Sequence, residues 1–543
     1  MKLKQFAPPC RVLAVVCLAL LGACQKEKIN DLGMQLEAEG FGGGQKAAVN
    51  GNAAYWIEGE TVRINGADYT VRLSGSTAYV QNVPEADAYR ALYPNTLNST
   101  ATLDGNTLTV SIPDAYTYRE SDGRQALDLP MAAYGTSDSR LVFRHLTAAV
   151  TVEVVNHYGF TIEVDSVVVS SNAYQLSGDK AVTIGATPDV AAATSTIAAE
   201  RRVKVAFDGG SALQVLSGQT KQVQVPVLPV GSDNRFTVEV RVHKVDEAEV
   251  SYLFQRTQGD GGSGYALTRA QMGYAPATVG GVFSVAADRQ VIISQGNLQY
   301  QASTGTWRFA QHQIDCFGSS TSGGNRTAES ERPTQEKWID LFGWGTSGWS
   351  ESGATNYQPY IFTTDNNTRT LYGPQGPYDL TGEYANADWG VYNPISNGGN
   401  QAGLWRTLTK DECEYLLSTR SDGWTKATIN GIKGLLLLPD GYEHPEGVTA
   451  LPETLRQGNA SFSVYEINDA NEWYRMQAVG AIFLPNSGYM GNGSVNWAEG
   501  FYWFSTTFGS DKAYLLQIKS GSVDANAYST RNCVRAVRLV KTI

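Results

Sequence analysis

The side chains able to do chemistry are spread thinly through this chain until its last third. Its histidines, His145, His157, His243, His312 and His444, stand far apart, so no two have the spacing that puts a pair of imidazoles on one helix face around zinc. His145, between Phe143 and Leu146, reads as a packed residue and not as a ligand. No GxSxG turn exposes a nucleophilic serine, and no GxxxxGK loop cradles a phosphate. Beyond the N-terminal segment three cysteines remain, Cys316, Cys413 and Cys533. An odd number builds no disulfide framework and their spacing fits no zinc site, so at most one bridge forms and free thiols are expected. Asp and Asn in TTDNNTRT, Thr363 to Thr370, could hold Ca2+ together with backbone oxygens. The dense chemistry is that of recognition. From Asn496 to Val540, the apolar runs FYWFST, AYLLQI and CVRAVRLV are separated by loops of Tyr, Asn, Ser, Thr and Asp. Tyr and Trp offer rigid amphipathic contact area at low entropic cost, while Ser, Gly and Asn adapt their hydrogen bonds.

Such a surface needs strands to hold it, and the composition supplies them. The chain has 543 residues, room for roughly three or four domains. Apolar residues make up 42% and charged residues only 17%, with 56 Gly and 28 Tyr, which favours strands and turns over helices. A net charge of −11 without a Lys/Arg run excludes a nucleic-acid partner, because phosphates need a basic face.

The first residues read as targeting. Lys2, Lys4 and Arg11 precede an apolar run, Val12 to Ala23, too short to span a bilayer comfortably. It ends in Leu21-Gly22-Ala23-Cys24, which resembles the lipobox of bacterial lipoproteins. The resemblance implies a signal peptide over 1–23, cleavage before Cys24 and lipidation there, hence an anchor in the membrane and not a span. The QKEK that follows resembles the export signal of outer-membrane lipoproteins, which implies an outer-membrane protein facing the cell exterior. Residues 24–48 are polar and glycine-rich and read as a flexible tether.

From residue 49 onwards short strands follow at close spacing, among them TVRING, YTVRLSG and TLTVSIP. In TVEVRV, Val238, Val240 and Val242 fall on one face and Glu239 and Arg241 on the other, a half-buried strand. Two β-domains are expected, 49–147 and 148–280, with QGDGGSGY (258–265) a hairpin loop and the linker near Pro276 to Gly281. AYRALYPN, LPMAAYG, LVFRHLTAAVTVEVVN and VPVLPVG resemble the fimbrillin-like family, the type V pilins with their anchor and tip proteins. That implies two transthyretin-like β-sandwiches serving as a stalk, anchor or tip, or as a free-standing surface lipoprotein.

After Val282 the texture changes to mixed α+β. Helices are expected in PTQEKWIDLFGWG, in TLTKDECEYLLSTR with Thr409 and Glu412 as a capping box, and in INDANEWYRMQAVG from Asn468 or Asp469 to Gly480. GLLLLP and GAIFLP read as short buried strands. GNLQYQASTGTWRFA, WIDLFGWGTSG, NADWGVYNPISNGGNQAGLWRTLTKDECEYLL, YWFST and RNCVRAVRLV resemble the C-type-lectin-like major paralogous domain of surface lipoproteins. This domain is related in fold to formylglycine-generating enzymes and to proteins diversified by retroelements. The resemblance covers 282–543 and implies that the final strand pairs with an early one. In the diversified relatives the terminal segment carries the ligand face. It therefore implies a site at Asn496, Trp497, Glu499, Tyr502, Tyr514, Gln517, Asp524, Asn526, Tyr528 and Asn532.

The fold class expected is thus mainly β: two transthyretin-like sandwiches, then an α+β lectin-like domain. The function expected is a lipid-anchored surface adhesin with a protein or glycan ligand, not an enzyme, and without a cofactor unless Ca2+ binds. The alternatives are an anchor or tip subunit of a type V fimbria, with fimbrial subunits as partners, and an enzyme of the formylglycine-generating type. The last would need a catalytic thiol pair, which Cys533 does not form with a neighbour in sequence.

Overall fold

The computed structural model describes residues 33–39, 56–97, 107–121, 124–126, 128–207, 212–245, 247–257, 264, 266–316, 338–349, 357–359, 371–491, 494–496 and 498–543. Cys24 and the Thr363–Thr370 segment lie outside these. The chain is mainly β, as its composition predicts. Among the described residues no helix is long and apolar enough to cross a membrane.

The first sheet has eight strands in the order Ala67–Thr70, Thr61–Ile64, Tyr89–Tyr93, Met131–Gly135, Arg140–His145, Met34–Ala38, Thr77–Val80, Arg72–Ser74. Its two edge strands are consecutive in sequence through the buried Val71, so the sheet must curl back on itself. Val62, Ile64, Ala91, Leu141 and Phe143 fill the inside. Met34–Ala38 differs from expectation. It lies within the predicted tether, yet pairs parallel with Arg140–His145 and antiparallel with Thr77–Val80. Met34 and Leu36 are buried between half-buried neighbours, a period of two that the polar composition around them hid.

The second unit packs a three-stranded sheet (Thr220–Val227, Ala148–His157, Met272–Gly280) on a larger one built round Phe236–Lys244, Ile162–Ser171 and Arg202–Ala206. Its core is a valine layer in which Val238, Val240 and Val242 point inward, as their alternation predicts. Two strands expected in the first sandwich reach across to this region. Thr107–Ile112 pairs with Gly178–Thr183, and Ala115–Thr117 adds parallel to Arg202–Ala206. The expected linker at 276–281 is strand almost throughout, because Pro276 to Gly280 pairs with Glu153 to His157. Only two residues separate this strand from the next, Phe283–Ala286.

In the last third, the final strand Leu539–Thr542 pairs with Arg289–Ile293, Val291 facing Thr542 and Ile293 facing Val540, so the two ends of the module meet as the resemblance implies. The capping box forms at the helix Lys410–Glu414: Thr409 Oγ1 accepts from the Glu412 amide, and the Glu412 carboxylate accepts from the Thr409 amide. Asp469 caps the helix Ala470–Ala478, and Gly480 follows at φ +91°. The helix expected around Trp338 does not form in the described part. Trp338–Ile339 and Leu341–Gly343 are strands, paired with Leu298–Gln301 and Val534–Ala536. Ile339, Leu341, Phe342 and Trp344 are all buried, and an apolar run buried on both faces carries no period to separate strand from helix.

This module is docked on the second unit. The buried Tyr158 hydroxyl donates to the Gln477 carbonyl (2.8 Å), and Tyr474 meets Tyr252 edge-on at 6.1 Å. Ala478 belongs to the valine core of the neighbouring unit. A Cβ on Gly159 would overlap the buried Trp405 ring, so only glycine allows that approach.

Candidate aromatic binding surface

A second sheet of the module runs Ser494–Asn496, Tyr489–Gly491, Val534–Ala536, Gly500–Phe508, Lys512–Ile518, Val523–Thr530, with Leu341–Gly343 pairing Val534–Ala536 off this path. Its last three strands form a meander, with Phe508 opposite Lys512, Tyr514 opposite Tyr528 and Gln517 opposite Asp524. Opposed residues share a face, so Tyr514 and Tyr528 come together. Phe508 joins them. Its ring lies parallel to that of Tyr528, centroids 4.1 Å apart and planes 5° apart, and Tyr514 meets it edge-on at 5.2 Å. Both arrangements suit the aromatic quadrupole. Tyr528 keeps 50% of its surface exposed.

Charge is arranged around these rings. The Lys512 ammonium lies 5.3 Å from the Tyr528 centroid and 6.0 Å from that of Phe508. Lys410, on the capped helix, lies over Tyr514 at 5.6 Å and donates to Glu414 at 2.8 Å. Glu414 also accepts from the Asn526 amide at 2.6 Å. Those two donors, Lys410 first, hold the Glu414 carboxyl below its usual range, and the Glu414 partner holds Lys410 above its own.

The ten expected site residues do not form one patch. Tyr514, Asn526 and Tyr528 stand together, and Asn526 takes its place from Asp524, whose Oδ1 accepts the Asn526 amide at 2.8 Å. Gln517 and Asp524 sit three and four residues further along their strands, about 10–13 Å away at the rise of a strand. Asn532 is exposed in the turn after the last meander strand. Glu499 lies at the far end of the meander, 3.8 Å from Lys519. Tyr502 is 2% exposed, and its hydroxyl donates to the Pro485 carbonyl at 2.6 Å. Burial pushes its phenol well up, and a core residue makes no ligand contact. Asn496 belongs to the opposite edge strand, five strand spacings or about 24 Å from Val523–Thr530, where it pairs with Tyr489. Trp497 lies outside the described residues.

A second aromatic group was not read from the sequence. Tyr378, 46% exposed, stacks on Tyr384 at 4.8 Å, and Tyr384 meets Trp349 edge-on at 6.4 Å. Its loop is tied to the same end of the meander as Phe508. The Thr507 amide donates to Asp379 Oδ1 (2.8 Å) and the Leu380 amide to the Ser505 carbonyl (2.9 Å). Arg531 completes the tie from below. Fully buried over the Trp344 indole, its guanidinium donates to the carbonyls of Pro374, Gly376 and Ser510, joining the loop to the hairpin turn. Burial lowers its pKa. The signal available in sequence was a lone Arg in a polar run, with two of its three partners more than 150 residues away.

No metal-ligating cluster of His, Cys, Asp and Glu exists among the described residues, and no disulfide joins any two of Cys316, Cys413 and Cys533. Burial pushes the Cys413 thiol well above its ordinary range, which keeps it protonated.

No family model and no curated protein matches this chain. Similar solved structures include a candidate cell-adhesion protein from Bacteroides ovatus, at 11% identity over 45% of this chain and 91% of the other, TM-score 0.28. A fimbrial protein from Bacteroides ovatus is similar over 94% of this chain and 99% of its own, at 11% identity and TM-score 0.19. A candidate adhesin from the same organism aligns over 48% and 92%, at 8% identity and TM-score 0.20. At such scores the likeness carries no argument about function, and the surface chemistry has to carry it.

Proposed function

We propose that this chain is a cell-surface adhesin that binds its ligand through the aromatic surface at the hairpin end of the C-terminal meander. The observation that carries this reading is Tyr528, half exposed and held flat by Phe508, with Lys512 and Tyr514 alongside. Exposed aromatics fixed by packing give contact area without an ordering cost, the usual make-up of a binding hot spot. The β-units before the module act as a stand, joined to it through Tyr158 and Gln477. Lipidation at Cys24 anchors the chain in the outer membrane, and the ligand is a host or microbial glycan or protein. The test is binding of the whole chain to glycan and protein arrays, before and after Tyr528→Ala. Unchanged binding, or no binding at all, contradicts the reading.

A second reading, a subunit of a type V fimbria, draws support from Met34–Ala38. This short strand near the N-terminus fills a slot between two strands of the first sheet, a place that a strand of another subunit could take. Co-purification with fimbriae, or immunogold label at their tips, tests it. Both readings can hold at once.

A further inference from the structure

We propose that the surface at Tyr528 takes a carboxylate-bearing sugar, such as a uronic acid within a polysaccharide, with its ring on the Tyr528 face and its carboxylate on the Lys512 ammonium. This rests on the binding reading above and names the ligand class of that same site.

The ring is a preformed platform. Phe508 backs Tyr528 at 4.1 Å and 5° from parallel, and Tyr514 braces Phe508 from its edge at 5.2 Å. A flat, half-exposed ring that is already oriented suits the C–H face of a pyranose, which is itself rigid, so neither partner loses much freedom on contact. The charge then selects the sugar. Three other cations of the module are paired with acids: Lys410 with Glu414 at 2.8 Å, Arg406 with Glu412 at 2.7 Å and Lys519 with Glu499 at 3.8 Å. Lys512 has no carboxylate within ion-pair distance among the described residues, although the whole chain carries a net charge of −11. An ammonium left without a counter-ion beside the platform, 5.3 Å from its centre, is complementary to an anion on the ligand. Its distance from the ring centroid is of the order of that between a pyranose ring and its exocyclic carboxylate plus a contact, so one sugar residue reaches both groups. The Tyr528 hydroxyl, carried on the same ring, suits a sugar hydroxyl.

The experiment is titration calorimetry of the whole chain with hexamers of galacturonic acid, hexamers of mannuronic acid and sialyllactose. The methyl ester of the galacturonate hexamer and neutral maltohexaose serve as controls. At least one acidic sugar should bind, and esterification should weaken a bound galacturonate about tenfold, the loss of one exposed charge contact. Tyr528→Ala should remove binding. Lys512→Gln should weaken the acidic ligand about tenfold without changing affinity for the ester, and Lys512→Arg should restore it. Added salt should weaken only the acidic form. The inference is overturned if no acidic sugar binds, if acid and ester bind alike, or if Lys512→Gln has no effect. Should the acidic sugars fail while array binding still depends on Tyr528, the ligand class is wrong and the adhesin reading survives. Should array binding ignore Tyr528, both fall.

Discussion

Tyr528 and Phe508, from the last and first strands of the meander, stack 5° from parallel across the strand between them. One ring faces solvent and the other supports it, and this division gives the surface its most direct prediction. Tyr528→Ala should abolish ligand binding and shift the melting temperature little, since an exposed side chain contributes within about 0.5 kcal/mol to stability. Phe508→Ala should weaken binding as well, but at a cost to stability of about 1–3 kcal/mol, because the half-buried ring also fills space between strands. Calorimetric melts beside binding isotherms for the two variants separate contact from support.

Arg531 is a staple and not a contact. Its guanidinium bonds three backbone carbonyls on two loops and lies wholly buried. Arg531→Met keeps the apolar stem but leaves buried acceptors unpaired, at about 1–3 kcal/mol for each that water does not reach. Hydrogen exchange should rise in 371–380 and in the 509–511 turn, with the neighbouring sheet still protected. Uniform exchange across the module would contradict the staple.

The docking of the module predicts that 282–543 alone is weaker than the same residues in the whole chain. Cutting it free exposes Tyr474 and Ala478 and removes the bond from Tyr158 to Gln477. Tyr158→Phe in the whole chain should cost about 1 kcal/mol, while Gly159→Val should cost several, since the new side chain meets Trp405. Limited proteolysis near 281 reads both, with faster cleavage in Gly159→Val.

Acid sensitivity should come in part from His145. Burial lowers its folded pKa from the ordinary 6.5 to about 4, so the fold holds it neutral. The unfolded chain then binds a proton that the native chain refuses, and stability falls as pH drops from about 6.5 towards 4, by up to about 3 kcal/mol. Above pH 7 the contribution is constant. His145→Gln should flatten this slope in urea unfolding of the first sheet, and an unchanged slope would place the acid sensitivity elsewhere.

Legibility in the sequence followed the range of the forces involved. The capping box at Thr409 and Glu412 was readable because both partners lie within one turn, and the inward valines at 238, 240 and 242 because a strand repeats every two residues. Met34 and Leu36 carried the same period in too few residues to stand out. Trp338, Ile339, Leu341 and Phe342 have near-helical spacing, yet Ile339 to Phe342 is buried on both faces of a strand, which leaves no true period to read. Among the expected site residues, Tyr514, Asn526 and Tyr528 do stand together, but composition does not tell an outward Tyr from an inward one, and Tyr502 points into the core. Phe508 and Lys512 were missed because their role depends on hairpin register, and Arg531 because its partners are distant in sequence. The implied single face failed at Asn496, which the sheet order sends to the far edge.

The central claim is that recognition occurs at the outward ring of the Tyr528–Phe508 stack. The most direct measurement compares ligand capture by the whole chain, Tyr528→Ala and, as a control for the buried position, Tyr502→Phe, with folding checked by melting. Loss of capture in Tyr528→Ala alone, at an unchanged melting temperature, is the result predicted. Full capture by Tyr528→Ala would contradict it.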